Sequence, residues 1–429
     1  METKGDLIKE RYDKCFTPAL HLYWPIAIKR GDGVYVESTE GNKYLDFSSG
    51  LAVLNIGHSH ARVIEAARTQ IGEYAHTGGV YYGEIVANAA ERLLSVTPAG
   101  LDMLFFSNSG AEAVEGALKL ARFVSGRQGI VSFTGGFHGR TLGAVSVTTS
   151  TARYRNRYHP LLPSVYHSPY PYCFRCPFQC TPDSCEIACF EQLNNIFRHQ
   201  IDPEEVAACI IEPVLGEGGY FPAPSGFLRK LRGLCDDHGI ILIFDEVQSG
   251  MGRTGNWFAA DHYGVTPDVM TVAKGIASGF PLSAVVAKRE IMTKWPAGAH
   301  GTTFGGNPVS CAASLATIAV IEEENLLDKS LFLADRAMSR LKTLAGLNQV
   351  IGDVRGIGLM IGIELVTDTG APDRESCDKV LDFCLENGLI LINCGTDRNV
   401  IRFIPPLTTT EAELDMAISI LERGVLSLS

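Results

Sequence analysis

Short apolar runs, each separated from the next by a helix-sized segment, are the feature of this sequence that most constrains its fold. Five such runs lie in the middle of the chain: Asp102–Ser107, Gly129–Thr134, Val206–Glu212, Gly239–Asp245 and Val269–Lys274. Apolar runs without polar alternation are typical of strands buried on both faces, as in a parallel sheet covered by helices. The sequence therefore predicts an α/β protein built on a mainly parallel sheet.

The two ends of the chain predict a second, smaller α/β unit. Gly33–Asp46 has the alternation and the central turn of a β-hairpin. The final third contains further apolar strands and a closing helix: Val354–Leu365, Leu389–Asn393, Val400–Pro406 and a helix from about Thr410. We therefore expect residues 1–55 and 311–429 to form a small domain and residues 56–310 to form the large one.

Composition limits the kind of partner. The chain has 429 residues, of which 46% are hydrophobic and 20% charged, enough for a substantial core. A net charge of -11 and a pI near 5.5 argue against nucleic acid or an anionic membrane as the main partner, because both favour clustered Lys and Arg. No apolar stretch has signal-peptide or membrane-span character. We expect a cytoplasmic protein that acts on a small metabolite.

Asp245 and Lys274 each end an apolar run. Ligands of parallel sheets bind at the carboxyl ends of the strands, so we expect this carboxylate and this amine to lie near each other. Pyridoxal phosphate requires such a pair: a lysine to hold it as a Schiff base and a carboxylate to keep its ring nitrogen protonated. The alternatives are an aspartate that caps a helix and a lysine that extends to solvent. The apolar residues before Lys274 favour a desolvated amine.

Gly110 and Ala111 follow the apolar run that ends at Ser107 and begin a predicted helix. The free N–H groups and the dipole at a helix N-terminus can bind a phosphate. The alternative is an ordinary helix start capped by Ser107 or Ser109.

Six stretches, taken in order, carry a family resemblance: Ser107–Glu115, Gly136–Thr141, Ile211–Gly219, Asp245–Gln248, Lys274 and Thr302–Pro308. Together they resemble the class III pyridoxal-phosphate aminotransferases, and most of all the 4-aminobutyrate aminotransferases. The resemblance extends from about Gly31 to the C-terminus. It implies fold type I, with a seven-stranded, mainly parallel large domain and a smaller α/β domain. It also implies a homodimer, or a dimer of dimers, with its sites at the subunit interface.

The resemblance also assigns the site. It makes Lys274 and Asp245 catalytic, and it gives cofactor-binding roles to Gly110, Ala111, Phe137, Glu212, Asp245, Val247, Gln248, Lys274 and Thr303. Phe137 would stack on the cofactor ring, Gln248 would bond the ring hydroxyl, and Thr303 would reach the phosphate bound by the partner subunit. We assign no catalytic role to His138 and no metal ligand.

The resemblance places four residues around the substrate. Arg402 matches the α-carboxylate ligand, Arg140 matches the ligand of the distal carboxylate, and Leu51 resembles a wall position. Glu217 is similar to a switch residue that pairs with Arg402 when the donor carries its amine at the chain end. The implied reaction is transfer from an ω-amino acid such as 4-aminobutyrate to 2-oxoglutarate by a ping-pong mechanism. Alternatives are an amino-acid racemase or epimerase of the same fold, and a non-catalytic binding protein.

Five of the 12 cysteines crowd into one Pro-rich and aromatic-rich segment: Cys173, Cys176, Cys180, Cys185 and Cys189. Thiolates at these spacings suit zinc or an iron–sulfur cluster, although they match no common closed site. A redox-sensitive disulfide and a loop of packed thiols are the other interpretations. We expect the remaining cysteines to be reduced residues of the core or of helices. This segment, and Leu215 where many relatives carry glutamine, depart from the family pattern.

Overall fold

The computed structural model describes residues 3–181, 185 and 187–428. The helices are α1 Lys4–Cys15, α2 Ser49–Ala52, α3 Ala61–Glu73, α4 Glu84–Leu94, α5 Gly110–Ser125, α6 Leu142–Val147, α7 Glu191–His199, α8 Ser225–His238, α9 Ala260–Tyr263, α10 Arg289–Met292, α11 Pro308–Glu323, α12 Leu326–Leu347, α13 Arg374–Glu386 and α14 Glu411–Leu426. The strands are β1 Ile28–Asp32, β2 Tyr35–Ser38, β3 Lys43–Asp46, β4 Met103–Ser107, β5 Gly129–Phe133, β6 Val165–Ser168, β7 Val206–Ile211, β8 Ile241–Asp245, β9 Val269–Val272, β10 Ser283–Ala287, β11 Ile351–Ile357, β12 Met360–Leu365, β13 Leu389–Ile390, β14 Ile392–Cys394 and β15 Val400–Phe403. Short 3-10 turns include Ala152–Tyr154 and Lys274–Ala277.

A seven-stranded sheet in the order β4-β10-β9-β8-β7-β5-β6 forms the large domain. Strand β10 runs antiparallel to both of its neighbours, and the β5–β6, β5–β7, β7–β8 and β8–β9 pairs are parallel. Every residue of β5 and of β7 to β10 is buried, because helices cover both faces. The predicted α/β fold with a mainly parallel seven-stranded sheet is confirmed.

Two smaller sheets, β1-β2-β3-β13 and β11-β12-β15-β14, are also present. The predicted hairpin is present as β2 and β3. The single strand predicted over Val354–Leu365 is wrong, because the chain turns at Gly358 and the antiparallel pair β11 and β12 forms instead. Gly358 has φ +56°, and an added Cβ would lie 2.3 Å from the carbonyl carbon of Thr254, so the turn requires glycine. Leu389–Asn393 likewise divides between two sheets.

Both ends of the chain contribute to one sheet, since β13 pairs in parallel with β3. The expected domain boundary at residues 310/311 lies inside helix α11, which packs against α3 and α4. No helix within the described ranges is both long and apolar enough to cross a membrane.

Arg253 is a fully buried contact between distant parts of the chain. Its guanidinium donates to the carbonyl oxygens of Leu359 and Pro405, at 3.3 and 2.5 Å, and to Oδ1 of Asn55 at 2.9 Å. Burial lowers the pKa of Arg253 to about 10. Asn55 follows α2, Leu359 lies between β11 and β12, and Pro405 follows β15, so one side chain fixes three loops.

Candidate active site

A cavity of about 390 Å³ opens at the carboxyl ends of β8 and β9 and at the N-terminus of α5. Most of the predicted cofactor residues line it: Gly110, Ala111, Phe137, Glu212, Asp245, Val247, Gln248 and Lys274. Strand order explains the convergence, because β8 and β9 are adjacent and parallel, and Asp245 pairs in register with Thr271. Residues that are far apart in sequence therefore meet at one edge of the sheet.

Lys274 lies two residues beyond β9, at the floor of this cavity. Its backbone has φ +49°, an uncommon conformation for a residue with a side chain. Burial, followed by the positive charge of Arg402, lowers the pKa of Lys274 to about 8. The side chain is nonetheless partly accessible, because its open side faces the cavity. A substantial share of this amine is therefore neutral, and nucleophilic, near pH 8.

The Asp245 carboxylate is buried and held by three donors. Its Oδ1 accepts from the Val247 N–H at 3.1 Å and from the Thr271 hydroxyl at 3.0 Å, while its Oδ2 lies 2.7 Å from Nδ1 of His138. Burial alone lowers the pKa of His138, but the hydrogen bond and the charge of Asp245 raise it above its ordinary value. Three hydrogen bonds thus fix the position of the Asp245 side chain, and His138 has a structural partner that the sequence did not indicate.

Glu212 lies on the cavity wall, but its oxygens already accept backbone hydrogen bonds. Oε2 accepts from the Phe137 N–H at 2.9 Å and Oε1 from the Gly216 N–H at 3.0 Å. Burial raises the pKa of Glu212 to about 7, against the opposing charge of His138. Glu212 therefore connects the loop that contains Phe137 to the loop that contains Gly216.

The N-terminus of α5 forms one end of the cavity. Ser109, not Ser107, is the N-cap, and its hydroxyl accepts from the Glu112 N–H at 3.3 Å. The first N–H groups of the helix, at Gly110 and Ala111, have no acceptor within the helix and can bind an anion. A Cβ at Gly110 would lie 2.9 Å from the Val247 side chain, so a small residue keeps this end open.

Three of the four predicted substrate residues, Arg140, Glu217 and Arg402, form a second cluster beside the cavity. Glu217 forms a short ion pair with the buried Arg402, and its Oε1 accepts from the Tyr154 hydroxyl at 3.1 Å. The Arg140 guanidinium lies 4.1 Å from the centroid of the Tyr154 ring. Burial disfavours the charged form of Arg402, but the charge of Glu217 raises its pKa above the ordinary value. Two cationic groups and their acidic partner are therefore assembled around one tyrosine.

Two of the predicted residues, Leu51 and Thr303, belong neither to the cavity lining nor to the substrate cluster. Leu51 is 45% exposed. The nearby Val53, and not Leu51, is among the described residues that line the cavity. Thr303 is also exposed, on the segment between α10 and α11.

Tyr154 and Tyr23 are site residues that sequence reasoning missed. Burial, opposed by Arg402 and supported by Glu217, raises the pKa of Tyr23, which places this N-terminal side chain beside the ion pair. Tyr154 lies in an arginine-rich and tyrosine-rich stretch at residues 153–158, a pattern that could have indicated it, whereas nothing in the sequence around Tyr23 did.

All cysteines are free, so the structure contains no disulfide among them. Among the described residues, no group of three or more His, Cys, Asp or Glu side chains could hold a metal. Partial desolvation, followed by the neighbouring thiols of Cys185 and Cys176, raises the pKa of Cys180. Phe174 and Ile187 anchor this segment against Gly352 of β11 and Gly226 of α8.

The architecture is that of the fold type I enzymes that use pyridoxal phosphate: a mainly parallel seven-stranded sheet with a lysine and an aspartate at adjacent strand ends. Residues 18–425 match the family described as Aminotransferase class-III. The chain therefore belongs to the class III aminotransferases, a family of enzymes that depend on pyridoxal phosphate.

Named relatives agree with this assignment. The chain is 40% identical to the 5-aminovalerate aminotransferase of Pseudomonas aeruginosa, over 92% of each chain. It is 38% identical to the 4-aminobutyrate aminotransferase of Escherichia coli, over 93% of each. It is also 38% identical to an alanine/serine racemase of Pyrococcus horikoshii, over 94% of this chain and 86% of the relative.

Comparison with a solved structure supports the same family assignment. An amine transaminase from an uncultivated Pseudomonas species, in its PLP-bound form, superimposes with a TM-score of 0.91 at 32% identity. The match covers 97% of this chain and 99% of that one.

Proposed function

We propose that this protein transfers an amino group from an ω-amino acid, such as 4-aminobutyrate or 5-aminovalerate, to 2-oxoglutarate by a ping-pong mechanism, with pyridoxal 5'-phosphate as cofactor. The observation that carries the proposal is the ion pair of Glu217 with Arg402 beside Arg140, which has no carboxylate partner among the described residues. A donor with one carboxylate needs one free arginine, and a dicarboxylic acceptor needs two.

The donor set of the cavity fits the cofactor. Gly110 and Ala111 offer N–H groups for its phosphate, the Asp245 carboxylate suits the ring nitrogen, and Phe137 and Val247 can enclose the ring. Gln248 lies within the lining with its Oε1 bonded to the Tyr220 hydroxyl at 2.8 Å, which leaves its amide group to reach the ring hydroxyl. When bound, pyridoxal phosphate supplies an aldehyde and an electron-withdrawing ring.

Lys274 is the group that moves the proton. Its lowered pKa makes the free amine an effective base near neutral pH, and from the cavity lining it would be available to the amine-bearing carbon of a bound substrate. The Asp245 carboxylate, fixed by His138 and Thr271, would serve as the partner of the ring nitrogen.

Glu217 allows one site to accept two kinds of substrate. With an ω-amino donor it stays on Arg402, and Arg140 binds the single carboxylate. With glutamate or 2-oxoglutarate it must leave Arg402, which then binds the α-carboxylate while Arg140 binds the distal one. The side chain of Glu217 is 22% exposed, so it has space to move.

We further propose a homodimer. Large apolar side chains are strongly exposed at Val80, Tyr81, Tyr82 and Phe304, next to Thr303. Such a patch needs a partner surface, and in a dimer Thr303 would reach the phosphate in the partner's cavity.

A donor panel tests the proposed function. The holoenzyme is incubated with 2-oxoglutarate and 4-aminobutyrate, 5-aminovalerate, β-alanine or ornithine, and glutamate formation is followed. We expect glutamate from at least one terminal amine. If α-amino acids alone react, the proposed role of Glu217 is wrong.

The Pyrococcus relative makes racemisation the second candidate function. Racemisation would use the same lysine and cofactor but would return the proton to the opposite face of the substrate carbon. Incubation of L-alanine or L-serine in deuterated water without an oxo acid separates the two. An aminotransferase leaves the configuration unchanged, whereas a racemase yields the deuterated D-enantiomer.

A further inference from the structure

Tyr154 contacts both halves of the substrate cluster. It ends the 3-10 turn Ala152–Tyr154, and its hydroxyl donates to Oε1 of Glu217 at 3.1 Å. The Arg140 guanidinium lies over the Tyr154 ring, 4.1 Å from its centroid. The Phe137 ring packs edge-to-face with the Tyr154 ring, with the two ring centroids 5.6 Å apart. One side chain thus joins the acidic switch, one carboxylate-binding arginine and the cavity wall.

The two carboxylate oxygens of Glu217 have different partners. Oε2 pairs with Arg402, and Oε1 accepts from Tyr154. Glu217 must therefore give up a charge-assisted hydrogen bond as well as the ion pair when it leaves Arg402. In this structure the hydroxyl of Tyr154 stabilises the arrangement in which Arg402 is neutralised.

The ring of Tyr154 has a separate effect. A guanidinium over an aromatic face is attracted by the ring's quadrupole, which restricts where Arg140 can lie. Since Arg140 is the proposed ligand for a carboxylate in both half-reactions, the ring supports both, whereas the hydroxyl supports one.

We propose that Tyr154 is a positioning residue that sets the preference for donors with a single carboxylate over α-amino dicarboxylates. This inference rests on the proposed function and deepens it. The hydroxyl holds Glu217 on Arg402 for the ω-amino donor, and the ring holds Arg140 for either substrate.

The test compares Tyr154→Phe with Tyr154→Leu in the two half-reactions. Each holoenzyme is mixed with 4-aminobutyrate or 5-aminovalerate, or with L-glutamate, and conversion of the cofactor is followed by absorbance to give kcat/KM for each donor. Tyr154→Phe loses only the hydroxyl. We expect kcat/KM for the ω-amino acid to fall about tenfold while that for glutamate is unchanged or rises.

Tyr154→Leu loses the ring as well, so both half-reactions are expected to slow. Tyr158→Phe is the matched control, because Tyr158 lies in the same segment and is exposed. It is expected to leave the ratio of the two kcat/KM values at the wild-type level.

The outcomes separate the two claims. A wild-type enzyme that converts glutamate but no ω-amino acid would overturn the proposed function, and the inference with it, before any variant is compared. If the wild type converts both and Tyr154→Phe lowers both equally, or changes neither, Tyr154 has no role in selecting the donor and the inference is wrong. A selective loss for the ω-amino acid supports it.

Discussion

The imidazole of His138 and the carboxylate of Asp245 share a buried hydrogen bond of 2.7 Å between Nδ1 and Oδ2. Because an ionised carboxylate only accepts, the Nδ1–H of His138 is the donor. Asp245 receives the bond on the oxygen that Val247 and Thr271 leave free. The histidine therefore completes the set of contacts that orients this carboxylate towards the cavity.

His138→Phe removes that donor while preserving bulk. A hydrogen bond to a charged group contributes about 1.5–3 kcal/mol, so we expect the half-reaction with the preferred donor to slow about tenfold to hundredfold. The measurement is the single-turnover rate at saturating donor. His138→Asn, which retains a donor, should recover part of the rate, and His199→Gln at the exposed end of α7 serves as the control. A wild-type rate for His138→Phe would contradict the role of this bond.

The lowered pKa of Lys274 predicts that the rate of cofactor binding depends on pH. Its pKa is lowered from 10.5 to about 8, so the neutral amine accumulates as pH rises through about 8. The rate at which the apoenzyme combines with added pyridoxal phosphate should follow the same curve. A half-maximal rate near pH 10 would show instead an unperturbed lysine.

The lowered pKa of Lys274 also predicts how the stability of the apoenzyme changes with pH. Between pH 8 and 10.5 the unfolded chain holds a proton on Lys274 that the folded chain has lost. The free energy of unfolding should therefore rise with pH across this window, and this contribution should be absent from Lys274→Met. Urea unfolding of both apoproteins at several pH values measures it, and equal slopes would rule the contribution out.

We expect replacement of Arg253 to lower the stability of the protein without a direct effect on substrate choice. Arg253→Leu leaves the acceptors at Leu359, Pro405 and Asn55 without their buried donor. Each unsatisfied group costs about 1–3 kcal/mol, so we expect a loss of about 3 kcal/mol or more in urea unfolding. Arg229→Leu, at an exposed position of α8, should change stability little. Similar unfolding midpoints for the two variants would show that the contacts of Arg253 contribute little.

Glu217→Gln tests the switch directly. The amide keeps the shape but cannot neutralise Arg402, so an ω-amino donor would leave a buried charge unpaired. We expect kcat/KM for 4-aminobutyrate or 5-aminovalerate to fall at least about tenfold, with a much smaller change for glutamate. Glu204→Gln, in an exposed ion pair with Arg127, is the control. Equal losses for both donors would be incompatible with a switch.

Much of the fold could be predicted because strands buried on both faces have a distinct composition. The same pattern placed Asp245 and Lys274 at strand ends, where parallel topology brings them together. Strand β6 was not predicted because Val165–Ser168 includes two polar residues and so has no continuous apolar run, and β10 was also not predicted. The β11–β12 turn was missed because Gly358 interrupts a continuously apolar stretch without any polar turn residue.

The substrate cluster was less accessible to sequence reasoning. Glu217 and Arg402 are 185 residues apart, and only the family resemblance paired them. The His138–Asp245 bond spans 107 residues, and the Tyr154–Glu217 bond spans 63. Contacts of this kind depend on how loops pack over the sheet, which the periodicity of the chain does not encode.

Borohydride reduction of the holoenzyme, followed by digestion and mass spectrometry of the peptides, tests the central claim most directly. If the ε-amine of Lys274 holds the cofactor, the reduced pyridoxyl group is found on the peptide containing Lys274. Its presence on another lysine, or its absence from every peptide of a catalytically active preparation, would contradict the account.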